Sequence, residues 1–230
     1  MKDFLTDSVF FGAVISLIAY EAGLLLKKRF RLALLNPLLI GTACVMALLA
    51  LFHVEYRHYN ESARYLSYLL TPATVCLAVP LYQQLELLKK NLKAVFCGIC
   101  SGVLASLLGV LLLSRLFALS HEQYVTLLPK SITTAIGMGI SGELGGIETI
   151  TVAVIIVTGI LGNVIAEFVC KLCRIEEPIA KGLAIGTASH AIGTAKAMEM
   201  GEIEGAMSSL AIAVAGLITV PGASLFANLM

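Results

Sequence analysis

Residues 182–201 form an unusual stretch in an otherwise apolar region, because they carry several groups that could bind a small anion. Thr187, Ser189 and Thr194 supply hydroxyl groups, and His190 lies among them. Ionisable groups at membrane depth are costly and normally face a cavity or a partner. The same stretch also holds one lysine and four glycines, namely Lys196, Gly182, Gly186, Gly193 and Gly201.

A break in a helix through this stretch would create an anion site. If the helix unwinds between Gly186 and Gly193, the second half-helix points free N–H groups at the middle of the membrane. The hydroxyl groups add neutral donors, and His190 donates a hydrogen bond when neutral and adds a charge when protonated. We therefore predict that this histidine and the three hydroxyl residues bind a small carboxylate, with the two glycines as helix breakers.

A second polar set follows Pro129 within another apolar run. It consists of Lys130, Ser131, Thr133 and Thr134. The ammonium group of Lys130 could hold a substrate carboxylate, and the three hydroxyl groups could line a pore. We include all four residues in the predicted binding site.

Both sets also have purely structural interpretations. Small residues and hydroxyl groups line ordinary helix–helix interfaces in membranes, and His190 could be a hydrogen-bonded packing residue. Lys196 could reach the membrane surface beside Glu199. Lys130 could mark the outer interface, and the hydroxyl groups after it could cap the start of a short helix.

Two prolines interrupt an earlier apolar run in a similar way. Pro72 and Pro80 are predicted to kink or break a helix over 65–86. Pro72 precedes Thr187 by half the chain length, which suggests an inverted repeat of two three-helix units, 35–117 and 147–229. Helices that are interrupted at corresponding positions in the two halves of a chain indicate a transporter binding site. Coincidence is the alternative, because Pro and Gly are frequent in membrane helices.

The composition indicates that the elements which position these residues are membrane helices. Of 230 residues, 58% are hydrophobic and 13% are charged, whereas soluble domains average about 45–50% and about 25%. The net charge of +1 argues against nucleic-acid partners. We predict an all-α polytopic membrane protein whose first apolar run is kept in the mature chain. The apolar runs are 8–26, 35–53, 65–86, 94–117, 125–142, 147–170, 178–198 and 205–229.

The positive charges predict the topology. Ten of the 16 basic residues lie in three loops, which should therefore be cytoplasmic. Simple up-and-down threading would place the third loop outside. The conflict disappears if 125–145 enters the membrane and returns to the same side, which leaves about seven spanning helices. An ordinary eighth helix with a tight Gly-Gly turn is the alternative. The basic residues are Lys27, Lys28, Arg29 and Arg31; Lys89, Lys90 and Lys93; and Lys171, Arg174 and Lys181.

Enzymatic, metal and cofactor chemistry are not expected. The six cysteines include two pairs with CxxC spacing, Cys97–Cys100 and Cys170–Cys173. Small apolar cysteines in a membrane usually serve packing, and no His/Cys set with zinc-site spacing lies nearby. The chain has no nucleophile elbow, HExxH motif or phosphate-binding loop. Glu143 and His190 are the candidates for a proton-coupling group.

Five segments make the chain resemble the LrgB/CidB membrane protein family over essentially its whole length. The resemblance implies one integral membrane domain, 1–230. The segments are Leu35–Leu39, Pro80–Leu85, Leu128–Thr134, Gly145–Ile147 and Gly186–Thr194.

The resemblance implies two functions. Bacterial members are described as holin-like or antiholin-like partners of a smaller LrgA/CidA membrane protein that affect murein hydrolase activity and autolysis. A plastid relative, fused to an LrgA-like half, is a glycolate/glycerate carrier, and bacterial members are also linked to pyruvate and other overflow acids. The family gives no roles for particular residues.

We therefore expect a multi-pass protein of the plasma (inner) membrane that transports small monocarboxylates, with proton coupling as one option. The alternative is a holin/antiholin-like regulator of autolysis. Expected partners are a small carboxylate substrate, the lipid bilayer and an LrgA/CidA-type membrane protein, with a homo-oligomer left open.

Overall fold

The computed structural model describes residues 8, 10–30, 35–76 and 78–230, and the regular elements in these ranges are all helical. The chain divides into two compact units, Met1–Cys76 and Leu77–Met230. The predicted all-α class is thus confirmed for the described residues. Of the basic residues used for the topology, Arg31 lies outside them.

The first unit is a small helical assembly. Asn36 and Pro37 start its second helix, since the Asn36 side chain accepts a hydrogen bond of 2.8 Å from the Leu38 N–H. The Gly12 N–H donates to Ser62 Oγ at 2.8 Å and joins the first helix to the third. The elements are α1 (Phe11–Phe30), α2 (Pro37–Leu51), α3 (Tyr56–Ala63), a 3-10 helix (Arg64–Leu69) and α4 (Leu70–Cys76).

The second unit contains eight helices in its described residues. Three of them, α7, α10 and α12, have 25, 25 and 26 residues and are long and apolar enough to cross a membrane. At 1.5 Å per residue they extend about 37–39 Å, against a hydrocarbon core of about 30 Å. The helices are α5 (Ala78–Gln83), α6 (Leu85–Lys90), α7 (Leu92–Leu116), α8 (His121–Leu127), α9 (Thr134–Glu143), α10 (Glu148–Leu172), α11 (Pro178–Met200) and α12 (Glu202–Ala227).

The structure supports three of the approximately seven predicted spans. The predicted run 65–86 is divided among short helices, with Pro72 in α4 and Pro80 in α5. Helix α2 has 15 residues, or about 22 Å, which is shorter than a typical span. The predicted repeat unit 35–117 crosses the boundary between the two compact units, so the repeat stays a prediction.

Helix α11 is folded back on itself at His190. This residue has φ 43° and ψ −142°, far from the helical values of about −63° and −42°. A Cβ atom placed on Gly193 would lie 3.3 Å from the Ile185 carbonyl oxygen, whereas residues eight apart in a straight helix are separated by about 12 Å. The halves 178–189 and 191–200 are therefore antiparallel, and we name 178–200 the second hairpin.

The two glycines predicted as helix breakers have a different role. The break lies at His190, between them, and both glycines have helical backbone. A Cβ atom on Gly186 would lie 2.5 Å from the Ser208 carbonyl oxygen and 2.8 Å from Ala211 Cβ. The small size of Gly186 therefore serves close packing against α12, and its conformational freedom is not used.

Helices α8 and α9 and the loop between them form the first hairpin, residues 121–143. Near its open end, Thr151 Oγ1 of α10 lies 2.9 Å from the Thr126 carbonyl oxygen and 2.7 Å from Ser141 Oγ. Toward the loop, Gly137 faces Pro129. The two helices are therefore antiparallel, and with seven and ten residues neither is long enough to span a membrane.

Helix α10 contacts both hairpins, one with each half. Near its start Thr151 contacts Ser141 of the first hairpin. Near its end Glu167 binds Lys196 of the second hairpin. The first hairpin is therefore packed at the N-terminal end of α10 and the second at its C-terminal end.

Helix α7 runs in the opposite direction. Its Gly102 faces Thr187 of the second hairpin, and Ser106, one turn further on, donates a hydrogen bond to Ser131 of the first hairpin. The second hairpin therefore contacts α7 closer to its N-terminus than the first hairpin does.

Helix α12 runs in the same direction as α7. Its Ser208 binds Thr194 of the second hairpin, and the Phe226 carbonyl near its end accepts a hydrogen bond from Tyr124 of the first. The two hairpins thus enter the group of three long helices from opposite ends, and each returns to the end from which it came.

Two predicted cytoplasmic loops lie at the same end of this unit. Asn91, at the start of α7, shares a groove with Glu177, at the start of α11. The basic clusters 89–93 and 171–181 are therefore neighbours. The first hairpin turns back within 121–143, and the re-entrance predicted for 125–145 stays a prediction.

Candidate functional site

The tips of the two hairpins meet near the middle of the long helices. A cavity of about 10 Å³ lies between them, which is no more than the space that one water needs. Ser106, on its wall, is close to the centre of α7. The first hairpin contributes Leu128, Ser131 and Ile132, the second contributes Thr187, and the long helices contribute Val103, Ser106, Leu107 and Thr219.

Lys130 places a positive charge at the tip of the first hairpin. Its Nζ donates a hydrogen bond of 2.8 Å to Ser131 Oγ, which also accepts one of 3.1 Å from Ser106. Among the described residues, no carboxylate lies within 4.0 Å of this ammonium group. A charge in the interior of a membrane bundle is costly without a counter-ion. The arrangement therefore suits an anion that supplies the missing negative charge.

The next helix begins at the same tip. Thr133 is the residue before α9, and its side chain makes no capping hydrogen bond, so the predicted alternative of a capping hydroxyl is not seen. The first N–H groups of a helix have no partner within the helix and carry a partial positive charge. Thr133 and Thr134 are both partly buried beside this helix start.

His190 holds the tip of the second hairpin against α10. Its Nε2 lies 2.9 Å from the Ile155 carbonyl oxygen, so this nitrogen donates its proton to the backbone. Gly159 of α10 lies directly under the imidazole ring. A substrate therefore could not use this nitrogen unless the hairpin moved.

The predicted hydroxyl residues of the second hairpin do not converge on one point. Thr194 Oγ1 faces α12, at 2.7 Å from Ser208 Oγ, and Ser189 lies against Gly162 of α10. Thr187 alone of the three lines the cavity at the tips. They point in different directions because they lie on different sides of a folded hairpin.

Sequence reasoning missed two residues that line the cavity, Ser106 and Thr219. Each is an isolated hydroxyl in a long apolar helix, which gives no signal by itself. It also missed the pairing of Lys196 with Glu167, because the prediction considered only Glu199. Lys196 Nζ lies 2.6 Å from Glu167 Oε1 and 3.2 Å from Glu199 Oε2.

The described residues contain no group of three potential metal ligands among their His, Cys, Asp and Glu side chains. The six cysteines are free.

Comparison with known proteins identifies the family. The model of the LrgB-like family matches residues 16–229. The holin-like protein CidB of Staphylococcus aureus (strain Mu50) is 37% identical over 206 residues, which cover 90% of each chain. The antiholin-like protein LrgB of Bacillus cereus (strain B4264) is 37% identical over 216 residues, 94% of each chain. No solved structure matches. The resemblance in the sequence motifs is thereby confirmed, and the chain belongs to the LrgB-like family.

Proposed function

We propose that this chain is a carrier that moves small monocarboxylates, such as glycolate, glycerate or pyruvate, across the cell membrane. The observation that supports it is Lys130, a positive charge at the meeting point of two hairpin tips without a carboxylate partner among the described residues. A carboxylate at this point would neutralise the charge and bind the free N–H groups at the start of α9.

The substrate would lie between the tips. Lys130, Ser131, Thr133 and Thr134 bind it from the first hairpin, and Thr187 binds it from the second. Ser189, His190 and Thr194 shape the second tip and reach the substrate when the residues after His190 move. The present cavity holds no more than one water, so the space at the tips must widen before a carboxylate can bind.

The opposed hairpins suit alternating access. The segments 92–143 and 148–200 each consist of a long helix followed by a hairpin, and they enter from opposite ends. We propose that these two segments form an inverted repeat, in place of the longer units suggested by the sequence. Inverted repeats with broken segments at their interface are common in secondary transporters. In this proposal both hairpins are re-entrant, so six of the eight apolar runs cross the membrane, one fewer than the sequence predicted.

A second candidate is a holin-like or antiholin-like function. The names of the relatives favour it over the carrier, since they are called holin-like CidB and antiholin-like LrgB. In this case the chain would affect murein hydrolase activity and autolysis with an LrgA/CidA-type partner. Such a function acts through protein contacts or a lesion in the membrane, and it does not require a selective anion site.

Transport by purified protein distinguishes the two candidates. Proteoliposomes are loaded with a trapped dye, and uptake of labelled glycolate, pyruvate and lactate is measured with and without a pH gradient. A carrier gives saturable uptake that one unlabelled acid inhibits, and the dye stays inside. Release of the dye, or no uptake of any acid, would refute the carrier and favour the holin-like function.

A further inference from the structure

The two hairpins are anchored to the long helices to different extents. In the first hairpin Tyr124, Val125 and Leu128 are almost completely buried and belong to the main apolar core. Tyr124 also donates a hydrogen bond of 2.9 Å to the Phe226 carbonyl. Thr151, which joins its two helices to α10, is completely buried. The first hairpin is therefore part of the rigid core.

The first arm of the second hairpin, 178–189, is also fixed. Leu183 belongs to the main core. Gly182 and Gly186 bring the arm so close to α12 that an added Cβ atom would meet backbone atoms at 2.5 Å. This arm cannot move away without separating two closely packed helices.

The second arm, 191–200, is held much less firmly. Its one buried apolar side chain, Ala197, belongs to a small separate cluster with Ala166 and Ile185. The arm's other contacts include the Asn163 side chain, which donates to the Ile192 carbonyl at 2.8 Å, and two glycines, Gly159 and Gly205, against which Ile192 and Met198 pack. Because Ala197 is the one fully buried apolar side chain of this arm, its movement would expose less apolar surface than movement of the first hairpin.

An ion pair fastens this arm to α10, about one turn before the chain passes through Gly201 into α12. Lys196 Nζ lies 2.6 Å from Glu167 Oε1 of α10, and the two side chains are 19% and 47% exposed. The pair is therefore accessible to water, and it can break and form again without a large desolvation cost.

The opposite end of the arm has a backbone suited to a hinge. His190 has a positive φ of 43°, and strained residues of this kind cluster at sites that switch between conformations. Beside the arm lies an open basin at the basic end of the unit. It is lined by Lys171, Arg174, Lys181, Glu199 and Glu204, among others.

We propose that the second arm, 191–200, is the moving gate of this protein, hinged at His190 and held closed by the ion pair between Lys196 and Glu167. Its opening connects the charged basin with Thr194 and Ser189, while the first hairpin stays fixed. The purpose of the gate rests on the proposed carrier function, but the motion itself can be tested without transport.

The test measures access to a cysteine beneath the gate. In the full chain with its native cysteines replaced, Thr194→Cys is labelled in proteoliposomes by a membrane-impermeant thiol reagent. The matched reporter is Ser141→Cys, which is equally buried in the first hairpin. We expect Glu167→Gln and Lys196→Met each to raise the labelling rate at 194 at least fivefold and to change it at 141 less than twofold.

A charge exchange keeps the test informative if a single variant unfolds. Glu167→Lys combined with Lys196→Glu should return the labelling rate at 194 to within twofold of the parent. Unchanged labelling at 194 in both single variants, or an equal rise at 141, would overturn the gate. Uptake is measured on the chain without the reporter cysteine, because Thr194 belongs to the proposed substrate site. Increased labelling together with no uptake by that chain would leave the gate standing and refute the carrier, whereas uptake together with unchanged labelling would refute the gate and leave the carrier standing.

Discussion

Replacement of Gly186 by alanine tests the close packing of the second hairpin against α12. An added Cβ atom would lie 2.5 Å from the Ser208 carbonyl oxygen and 2.8 Å from Ala211 Cβ. Both distances are too short, so the two helices must move apart. Overpacking of this kind costs about 1–3 kcal/mol.

Gly109 of α7 is the matched control. A Cβ atom there would meet no atom within 4 Å, and alanine in a helix interior is more stable than glycine by about 0.5–1 kcal/mol. Both glycines have helical backbone, so this gain applies to both variants and cancels when they are compared. Gly186→Ala should therefore be less stable than Gly109→Ala by about 1–3 kcal/mol, the cost of overpacking.

The assay is reversible unfolding of the purified protein in mixed micelles with increasing denaturing detergent, followed by circular dichroism. Ala211→Gly in the Gly186→Ala background should recover part of the loss, because it removes one of the two contacts. Equal stability of Gly186→Ala and Gly109→Ala, or strict additivity of Gly186→Ala and Ala211→Gly, would refute the close approach of the two helices.

Two further predictions concern the hairpins and use the same unfolding assay. His190→Gly should be more stable than His190→Ala by about 1–3 kcal/mol, because both lose the imidazole but only glycine accepts the positive φ without strain; the reverse order would contradict the break at this residue. Thr151→Val should cost about 1–3 kcal/mol, because it removes the hydroxyl group shared with Thr126 and Ser141 in a fully buried site. Thr158→Val is its control, because Thr158 is a partly buried residue of the same helix; an equal loss there would show that the hydrogen bonds of Thr151 do not account for the loss.

The sequence was sufficient for the helical class and the family. The return of 125–145 to one side of the membrane rested on the charge bias of the loops and on the Gly-rich segment around Gly145, and it stays a prediction, although the chain does turn back between α8 and α9. The prediction of Lys130 as a site residue also rested on local information, since a lysine directly after Pro129 in an apolar run is unusual.

The second hairpin could not be predicted as a hairpin. Its apolar run is as long as a spanning helix, and the chain reverses at His190, a residue type that gives no turn signal. Once the helix is folded, its hydroxyl groups face three different neighbours, so their spacing in sequence does not show which of them line a cavity. The pairing of Lys196 with Glu167 depends on the packing of two helices that are separated by a loop.

The most direct test of the carrier site is the uptake of labelled pyruvate and glycolate by Lys130→Met beside Lys93→Met. Methionine keeps the length of the side chain and removes the charge, and Lys93 is an exposed residue at the start of α7. We predict that Lys130→Met loses saturable uptake at least tenfold, equivalent to about 1.4 kcal/mol of binding free energy, while Lys93→Met transports like the parent. Normal uptake by Lys130→Met, at equal amounts of folded protein, would contradict an anion site at the hairpin tips.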